Sequence, residues 1–159
     1  MRIGLGYDIH RLAPSETGII LGGVQIPLNR RLVGHSDGDA LCHAIIDALL
    51  GAANLGDIGQ KFPDTDLTYK DISSLELLKR TAAWLRSAGF AVINIDAVVV
   101  AEVPRVAPHK EEMARNIAAI LGIDPSRVSI KGKTAEGLGA IGAGEALCVH
   151  AVALVEEEK

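Results

Sequence analysis

A long apolar run, ALCVHAVALV over residues 146–155, constrains the fold more than any other segment. The run is typical of a strand, and apart from His150 both of its faces are apolar. A sheet that is covered by helices on one side only would expose the other apolar face to water. We therefore expect helices on one face of this sheet and further copies of the chain on the other, in a closed homo-oligomer.

The remaining segments predict a single α+β domain over residues 1–159, with one mainly antiparallel or mixed sheet. Gly22-Gly23 between short apolar runs indicates a hairpin. Ser73 and Glu76 form a capping-box pattern, which predicts the start of a helix. Residues 56–71 predict a long loop of the kind that is often functional. In chain order we expect a strand at 2–8, the hairpin at 18–26, helices at 40–54 and 73–89, a strand at 91–101, a helix at 110–121, and strands at 128–134 and 146–155.

Charge and composition exclude several classes of function. The net charge of −4 leaves no basic surface for nucleic acid. No signal-peptide pattern and no apolar run of membrane-spanning length is present, so we expect a cytoplasmic protein without a membrane partner. Cys42 and Cys148 lack paired spacing, and we expect both to be reduced and buried.

A metal site is the first candidate for chemistry. Asp8 and His10 lie two residues apart in the first strand and therefore on one face of it. With His43 from the first helix they provide three ligands, which suits zinc, with manganese or cobalt as competitors. Asp47 follows His43 by one helical turn and is predicted to orient its imidazole. Spacing alone leaves open the alternative of a core histidine beside a solvated Asp8–His10 pair.

A phosphate site is the second candidate. The segment GHSDGD (34–39) precedes the first helix, and helix N-termini favour anions. His35 and Ser36 would add donors there, unless the segment only caps the helix. The loop acids Asp57, Asp64 and Asp66 are candidates for binding the hydroxyl groups of a polyol under a lid formed by QKFPDTD (60–66). The alternative is that they are solvated.

The glycine-rich segment at 129–145 excludes two nucleotide-binding motifs. GKT at 132–134 would need a P-loop glycine where Arg127 stands, and GLGAIG at 137–142 precedes a strand instead of a helix. What remains is a turn in which Lys133 and Thr134 can donate to phosphate and Glu136 can bind magnesium. Because so many carboxylates would repel a phosphate, cations must offset them, and the residues predict metal-assisted phosphoryl chemistry on a small anion.

Six motifs together resemble the 2-C-methyl-D-erythritol 2,4-cyclodiphosphate synthase family of the non-mevalonate isoprenoid pathway: GYDIHRL, GGVQIP, GHSDGDALCHAIIDALLGAANLGDIGQKFPDTD, AEVPRVAPH, KGKTAEGLG and GEAL. The match runs in register over essentially the whole chain. The resemblance implies that the 2-phosphate of 4-diphosphocytidyl-2-C-methyl-D-erythritol 2-phosphate attacks the β-phosphorus, which closes a cyclic diphosphate and releases CMP. It also implies a homotrimer whose sheets face the three-fold axis, with active sites between neighbouring subunits.

The resemblance assigns roles residue by residue. It implies zinc on Asp8, His10 and His43, magnesium or manganese on Glu136, and transition-state stabilisation by His35 and Thr134. The residues implied to bind substrate are Ile9, Ser36, Asp57, Ile58, Gly59, Phe62, Pro63, Asp64, Thr65 and Asp66. The residues implied to bind cytidine and phosphate, from the adjacent subunit, are Ala101, Glu102, Val103, Pro104, Arg105, Val106, Ala107, Gly132, Lys133, Thr134 and Ala135.

The sequence departs from the family pattern near the expected trimer axis. Ala140, Ala143 and His150 stand where many members have phenylalanine, arginine and glutamate, so we expect no isoprenoid diphosphate in a central cavity. His150 either fills space or forms a three-fold histidine cluster. Arg105 replaces a frequent lysine and keeps its charge. A zinc-dependent phosphoester hydrolase and a non-catalytic nucleotide-binding trimer with a structural metal remain alternatives.

Overall fold

The structure is a computed structural model that describes residues 1–158. The strands are β1 (Arg2–Pro14), β2 (Ile19–Leu21), β3 (Val24–Ile26), β4 (Arg30–Leu32), β5 (Phe90–Val100), β6 (Val128–Lys133) and β7 (Ala146–Glu157). The helices are α1 (Ala40–Ala53), α2 (Ile58–Lys61), α3 (Ser74–Ser87), α4 (Lys110–Leu121) and α5 (Gly139–Gly142).

Five strands form one mixed sheet in the order β4-β1-β7-β5-β6, while β2 and β3 form a separate hairpin. β7 pairs antiparallel with β1 on one side and with β5 on the other. β6 joins β5 in parallel after the crossover through α4. The predicted α+β class and its mixed sheet are confirmed.

α1 lies directly on β1 because two glycines leave room for it. A Cβ at Gly4 would lie 1.9 Å from the carbonyl oxygen of Ala48, and a Cβ at Gly6 would lie 1.8 Å from that of Ala44. Side chains alternate along a strand, so residues 8 and 10 continue the same helix-facing side of β1. The close approach of helix and strand therefore sets the distance between α1 and these two positions.

The other face of the sheet carries exposed apolar side chains. Ile3, Leu5, Tyr7 and Ile9 alternate with the helix-facing residues of β1, and Ile3 and Leu5 are 72% and 70% exposed. On β7, His150 is exposed next to Tyr7, with ring centroids 4.9 Å apart. The helix-facing residues of β7 are fully buried, as the alternation requires: Leu147, Val149, Ala151, Ala153 and Val155. One side of the sheet is thus covered by helices and the other presents apolar surface, as the last strand predicts.

Asp39 joins the hairpin to the first helix. Its carboxylate is fully buried and caps α1 by accepting from the backbone N–H of Cys42. It also accepts from the N–H groups of Gly22 and Gly23 at the hairpin turn. The predicted hairpin is confirmed, and one carboxylate satisfies donors of both the hairpin turn and the helix.

Three local predictions need correction. The capping box does not form, since Ser73 makes no side-chain hydrogen bond and Asp37 accepts from the N–H of Ser74 instead. The predicted loop 56–71 contains α2 and a 3₁₀ turn at Leu67–Tyr69. The first strand runs to Pro14 and is therefore longer than expected.

Cys42 and Cys148 are buried and unpaired, as predicted. Within residues 1–158, no helix has the length and hydropathy to cross a membrane.

Candidate metal and phosphate site

Asp8, His10 and His43 converge as predicted. Asp8 and His10 share the helix-facing side of β1, and His43 reaches them from the first turn of α1. Asp8 Oδ2 lies 2.8 Å from His10 Nε2 and 3.1 Å from His43 Nδ1, and the two nitrogens are 3.2 Å apart. The alternative of a separate core histidine is excluded by these distances.

The three ligand atoms form a nearly equilateral triangle that suits a tetrahedral ion. Zinc–ligand bonds of about 2.0–2.1 Å place the corners of a tetrahedron about 3.3 Å apart. The observed edges of 2.8 to 3.2 Å are close to that value. Among residues 1–158, no fourth His, Cys, Asp or Glu joins the group. Three ligands with an open corner are typical of a catalytic metal site, whereas structural zinc sites are closed by a fourth protein ligand.

The ionisable groups of the triangle shift each other's pKa. Burial alone would raise the pKa of Asp8, but hydrogen bonds with His10 and His43 outweigh it and lower the pKa to about 2. Burial alone would lower the pKa of His10, but the hydrogen bond to Asp8 outweighs burial and the pKa of His10 is raised. Asp8 is therefore a carboxylate at neutral pH, which is the form that binds a cation.

The second nitrogen of each imidazole is hydrogen-bonded away from the triangle. His10 Nδ1 donates to the carbonyl oxygen of Val33 at 2.7 Å. His43 Nε2 lies 2.8 Å from Ser74 Oγ and 3.0 Å from Ser36 Oγ. The prediction that Asp47 orients His43 is wrong, because the Asp47 carboxylate turns to the backbone N–H of Ile58 at 2.7 Å.

The open corner faces a pocket of about 290 Å³. His35 and Ser36 line it beside the three ligands, and the segment between α1 and α3 contributes most of the remaining lining residues. Of the predicted substrate residues, the pocket contains Ser36, Ile58, Gly59, Phe62 and Asp64.

Other predicted substrate residues lie outside the pocket lining. Asp57 caps α2 and Asp66 caps the 3₁₀ turn. Pro63 and Thr65 lie between them, and the side chain of Ile9 is on the opposite face of β1. Tyr69 and Leu77 also line the pocket, and neither was predicted from the sequence.

A second pocket, of about 600 Å³, gathers the predicted cytidine segments. Its walls come from the loop after β5 and from the end of β6. Val103 and Ala135 do not line it, whereas Lys110, Ile130 and Lys131 do and were not predicted. The predicted residues that line it are Ala101, Glu102, Pro104, Arg105, Val106, Ala107, Gly132, Lys133 and Thr134.

The turn after β6 presents Thr134 and Glu136. Glu136 has a positive φ of 52°, and its carboxylate accepts a hydrogen bond from Thr134 Oγ1 at 2.7 Å. Glu102 holds the turn from the other side, since its carboxylate accepts from the N–H groups of Ala135 and Gly137 at 3.0 and 3.3 Å. A non-glycine residue with positive φ costs free energy, so the neighbouring contacts must maintain this conformation.

The two pockets share no lining residue within one chain. Asp8 is in register with Gly132 through Val149 and Val99, across three strand spacings of about 14 Å in all. His35 and Thr134, predicted as partners in stabilising one transition state, therefore lie in different pockets of the same subunit.

Comparisons with known proteins agree on one family. The model of the YgbB family matches residues 1–156. A 2-C-methyl-D-erythritol 2,4-cyclodiphosphate synthase from Syntrophomonas wolfei is 55% identical over 99% of both chains. IspF from Plasmodium falciparum, solved as a CDP complex, is 36% identical with a TM-score of 0.87 over 99% of this chain and 97% of that one. Bifunctional IspDF from Campylobacter jejuni is 42% identical with a TM-score of 0.94, over 98% of this chain and 42% of that longer one.

Proposed function

Because the chain belongs to the YgbB family, we propose that it converts 4-diphosphocytidyl-2-C-methyl-D-erythritol 2-phosphate to 2-C-methyl-D-erythritol 2,4-cyclodiphosphate and releases CMP. It is an enzyme of isoprenoid biosynthesis, and its reaction is that of a phosphorus–oxygen lyase. The observation that carries this function is the triangle of Asp8, His10 and His43, whose open corner faces a pocket with phosphate donors.

In this reaction an oxygen of the 2-phosphate forms a bond to the β-phosphorus. The bond from that phosphorus to the oxygen shared with the α-phosphate breaks, and the electron pair leaves with CMP. The 2-phosphate is already ionised at neutral pH, so no protein base is needed. Both reacting groups belong to one molecule, and the protein has to align them and offset their charge.

Two donor sets of this chain fit two different cations. The nitrogen and oxygen ligands Asp8, His10 and His43 would hold zinc or a similar transition metal. The carboxylate of Glu136, a hard oxygen donor, would hold magnesium or manganese. When bound, these cations would neutralise the diphosphate and polarise its phosphorus–oxygen bonds.

The protein groups around the first pocket would hold the rest of the substrate. His35 and Ser36 would donate hydrogen bonds to a phosphate, and Thr134 would do the same from the second pocket. Asp57 and Asp64 would accept from the erythritol hydroxyls. Phe62 would cover the substrate and exclude water, together with Pro63, Thr65 and Asp66 in the lid.

The separation of the two pockets supports active sites between subunits. The exposed apolar side chains Ile3, Leu5, Tyr7 and Ile9 form a face that a second copy would cover. In a cyclic homotrimer, the second pocket of one chain, with the turn that carries Glu136, would meet the metal triangle of its neighbour. The cytidine would then bind at 101–107 and 132–135 of the chain that supplies Glu136. We place this trimer in the cytoplasm.

Two single-site variants test the reaction and the subunit arrangement. Phosphorus NMR of the purified protein with substrate, zinc and magnesium is expected to show the cyclic diphosphate and CMP. His43→Ala and Glu136→Gln are each expected to abolish or strongly reduce turnover. Inorganic phosphate or a linear product would instead indicate a hydrolase, and no turnover with any metal would indicate a binding protein.

A mixture of the two variants tests the shared site. If each site takes its triangle from one chain and Glu136 from the next, co-expressed His43→Ala and Glu136→Gln chains regain about a quarter of the wild-type sites by random assembly. Sites built within one chain would regain none. Light scattering of the mixture and of the wild type would give the oligomeric state independently.

A further inference from the structure

We infer that Ser74 and Asp37 are positioning residues for the metal centre, because they form a hydrogen-bond chain that fixes His43 with Nδ1 facing the ion. This inference rests on the proposed metal site. Ser74 opens α3, and its hydroxyl lies 2.8 Å from His43 Nε2. On its other side the same hydroxyl lies 2.5 Å from Asp37 Oδ1.

The Asp37 carboxylate, at one end of these hydrogen bonds, determines the direction of each of them. An ionised carboxylate only accepts, so the Ser74 hydroxyl donates its hydrogen to Asp37. Ser74 Oγ can then only accept from the imidazole, which places the hydrogen of His43 on Nε2. A metal ligand is a neutral imidazole, and in that form of His43 the lone pair is on Nδ1, the atom that lies 3.1 Å from Asp8 Oδ2.

The second imidazole is fixed in the same way by a different acceptor. His10 Nδ1 faces the carbonyl oxygen of Val33, which cannot donate, so the neutral imidazole of His10 carries its lone pair on Nε2. Both lone pairs consequently point into the triangle. The second hydrogen bond of a metal-bound histidine commonly sets its tautomer and orientation in this manner.

The surroundings keep the chain rigid. Ser74 is fully buried, so water cannot replace its partners. Asp37 is held by two further bonds to its carboxylate, from the backbone N–H of Ser74 at 2.9 Å and from that of Asp39 at 3.2 Å. Ser36 Oγ is also near His43 Nε2, at 3.0 Å, but Ser36 lines the pocket and has no carboxylate partner. Ser74 is therefore the partner that determines the tautomer.

Metal affinity, measured without substrate, tests the inference. Cobalt(II) binding to the purified protein would be followed by its visible absorption and by competition with a chelating dye. Ser74→Ala is expected to weaken binding about 10- to 100-fold and to change the cobalt spectrum. Asp37→Asn is expected to weaken it as well, because the amide can donate to Ser74 and lets the hydroxyl turn toward His43.

Thr81→Val is the matched control. Thr81 is a buried hydroxyl of the same helix that donates to the Leu77 carbonyl oxygen. Its loss is expected to lower the stability of the metal-free protein while cobalt affinity stays within about twofold. Ser74→Ala and Asp37→Asn proteins that bind cobalt with wild-type affinity and an unchanged spectrum would overturn the inference.

The failure of this inference is distinguishable from the failure of the proposed function. A wild-type protein that makes the cyclic product, with Ser74→Ala equally tight for cobalt, refutes only the hydrogen-bond chain. If the wild type binds cobalt and Ser74→Ala binds it more weakly, but the wild type makes no cyclic product, only the proposed reaction is refuted.

Discussion

Asp47 Oδ1 accepts a hydrogen bond from the backbone N–H of Ile58 at 2.7 Å. This contact joins the middle of α1 to the first residue of α2, at the start of the segment that walls the pocket. Burial raises the pKa of Asp47, although the hydrogen bond from Ile58 acts against it. The folded protein thus uses this carboxyl group as an acceptor and bears a cost for its charge.

Two substitutions of Asp47 are expected to differ in their effect on stability. Asp47→Asn keeps an acceptor for Ile58 and removes the buried charge, so the metal-free protein should be equally stable or slightly more stable at pH 7. Asp47→Ala loses the acceptor and should destabilise by about 1–3 kcal/mol. Urea unfolding of both variants checks this. Two equally destabilised variants would show that the charge itself is required.

The pH dependence of the metal-free protein should show a maximum. The pKa of Asp8 is depressed from 3.8 to about 2, so its stabilising effect is complete above 3.8 and lost as the pH falls toward 2. The pKa of His10 is raised above 6.5, so its effect is present below 6.5 and lost as the pH rises through the raised value. Urea unfolding from pH 2 to 9 should therefore peak between about 4 and 6.5, and Asp8→Asn should flatten the curve.

The sequence predicts most helices and strands of this fold because hydrophobic periodicity and turn residues depend only on residues close together in the chain. The helix Lys110–Leu121 has the predicted bounds, and the hairpin turn falls on Gly22-Gly23. The strand spacing of Asp8 and His10 places both on one face without any knowledge of tertiary contacts. Recognising the family favours His43 as the third ligand over a core histidine, and it adds the two binding segments, which spacing alone cannot join.

Partners of buried polar groups could not be predicted, since the choice among them depends on tertiary packing. Asp47 has the helical spacing to reach His43, yet a backbone N–H that lies 11 residues further on takes its carboxylate. Ser74 reaches His43 across 31 residues, and no sequence pattern marks it. Lys110 and Lys131 enter the second pocket only because α4 and β6 pack side by side.

Gly6 and Gly51 should respond oppositely to alanine. A Cβ at Gly6 would lie 1.8 Å from the backbone of α1, so Gly6→Ala forces helix and strand apart and should cost about 3 kcal/mol or more. Gly51 lies exposed in α1 with nothing within 4 Å, so Gly51→Ala should stabilise by about 0.5–1 kcal/mol. Thermal unfolding measures both. A mild effect of Gly6→Ala would mean that α1 does not lie on β1 as described.

Trp84 should report the position of the lid. It is the only tryptophan of the chain, and Phe62 stacks on it with ring centroids 5.2 Å apart. Movement of Phe62 over the substrate would change the surroundings of the indole, so substrate should change Trp84 fluorescence in a saturable manner. Phe62→Leu should remove most of this change, whereas Phe90→Leu, at the start of β5, should keep it. An equal response in both variants would separate Trp84 from the lid.

Glu102 should control the affinity for the second cation through the turn that it holds. Its carboxylate binds the N–H groups on either side of Glu136, so Glu102→Ala removes the contacts that support the positive φ at Glu136. The magnesium concentration for half-maximal activity should rise about tenfold, while stability falls by no more than about 1–2 kcal/mol because the turn is exposed. Glu102→Gln retains an acceptor oxygen and should change little, as should Glu16→Ala at an exposed site outside both pockets. A magnesium titration of Glu102→Ala that overlays the wild type would show that Glu136 holds its conformation without this carboxylate.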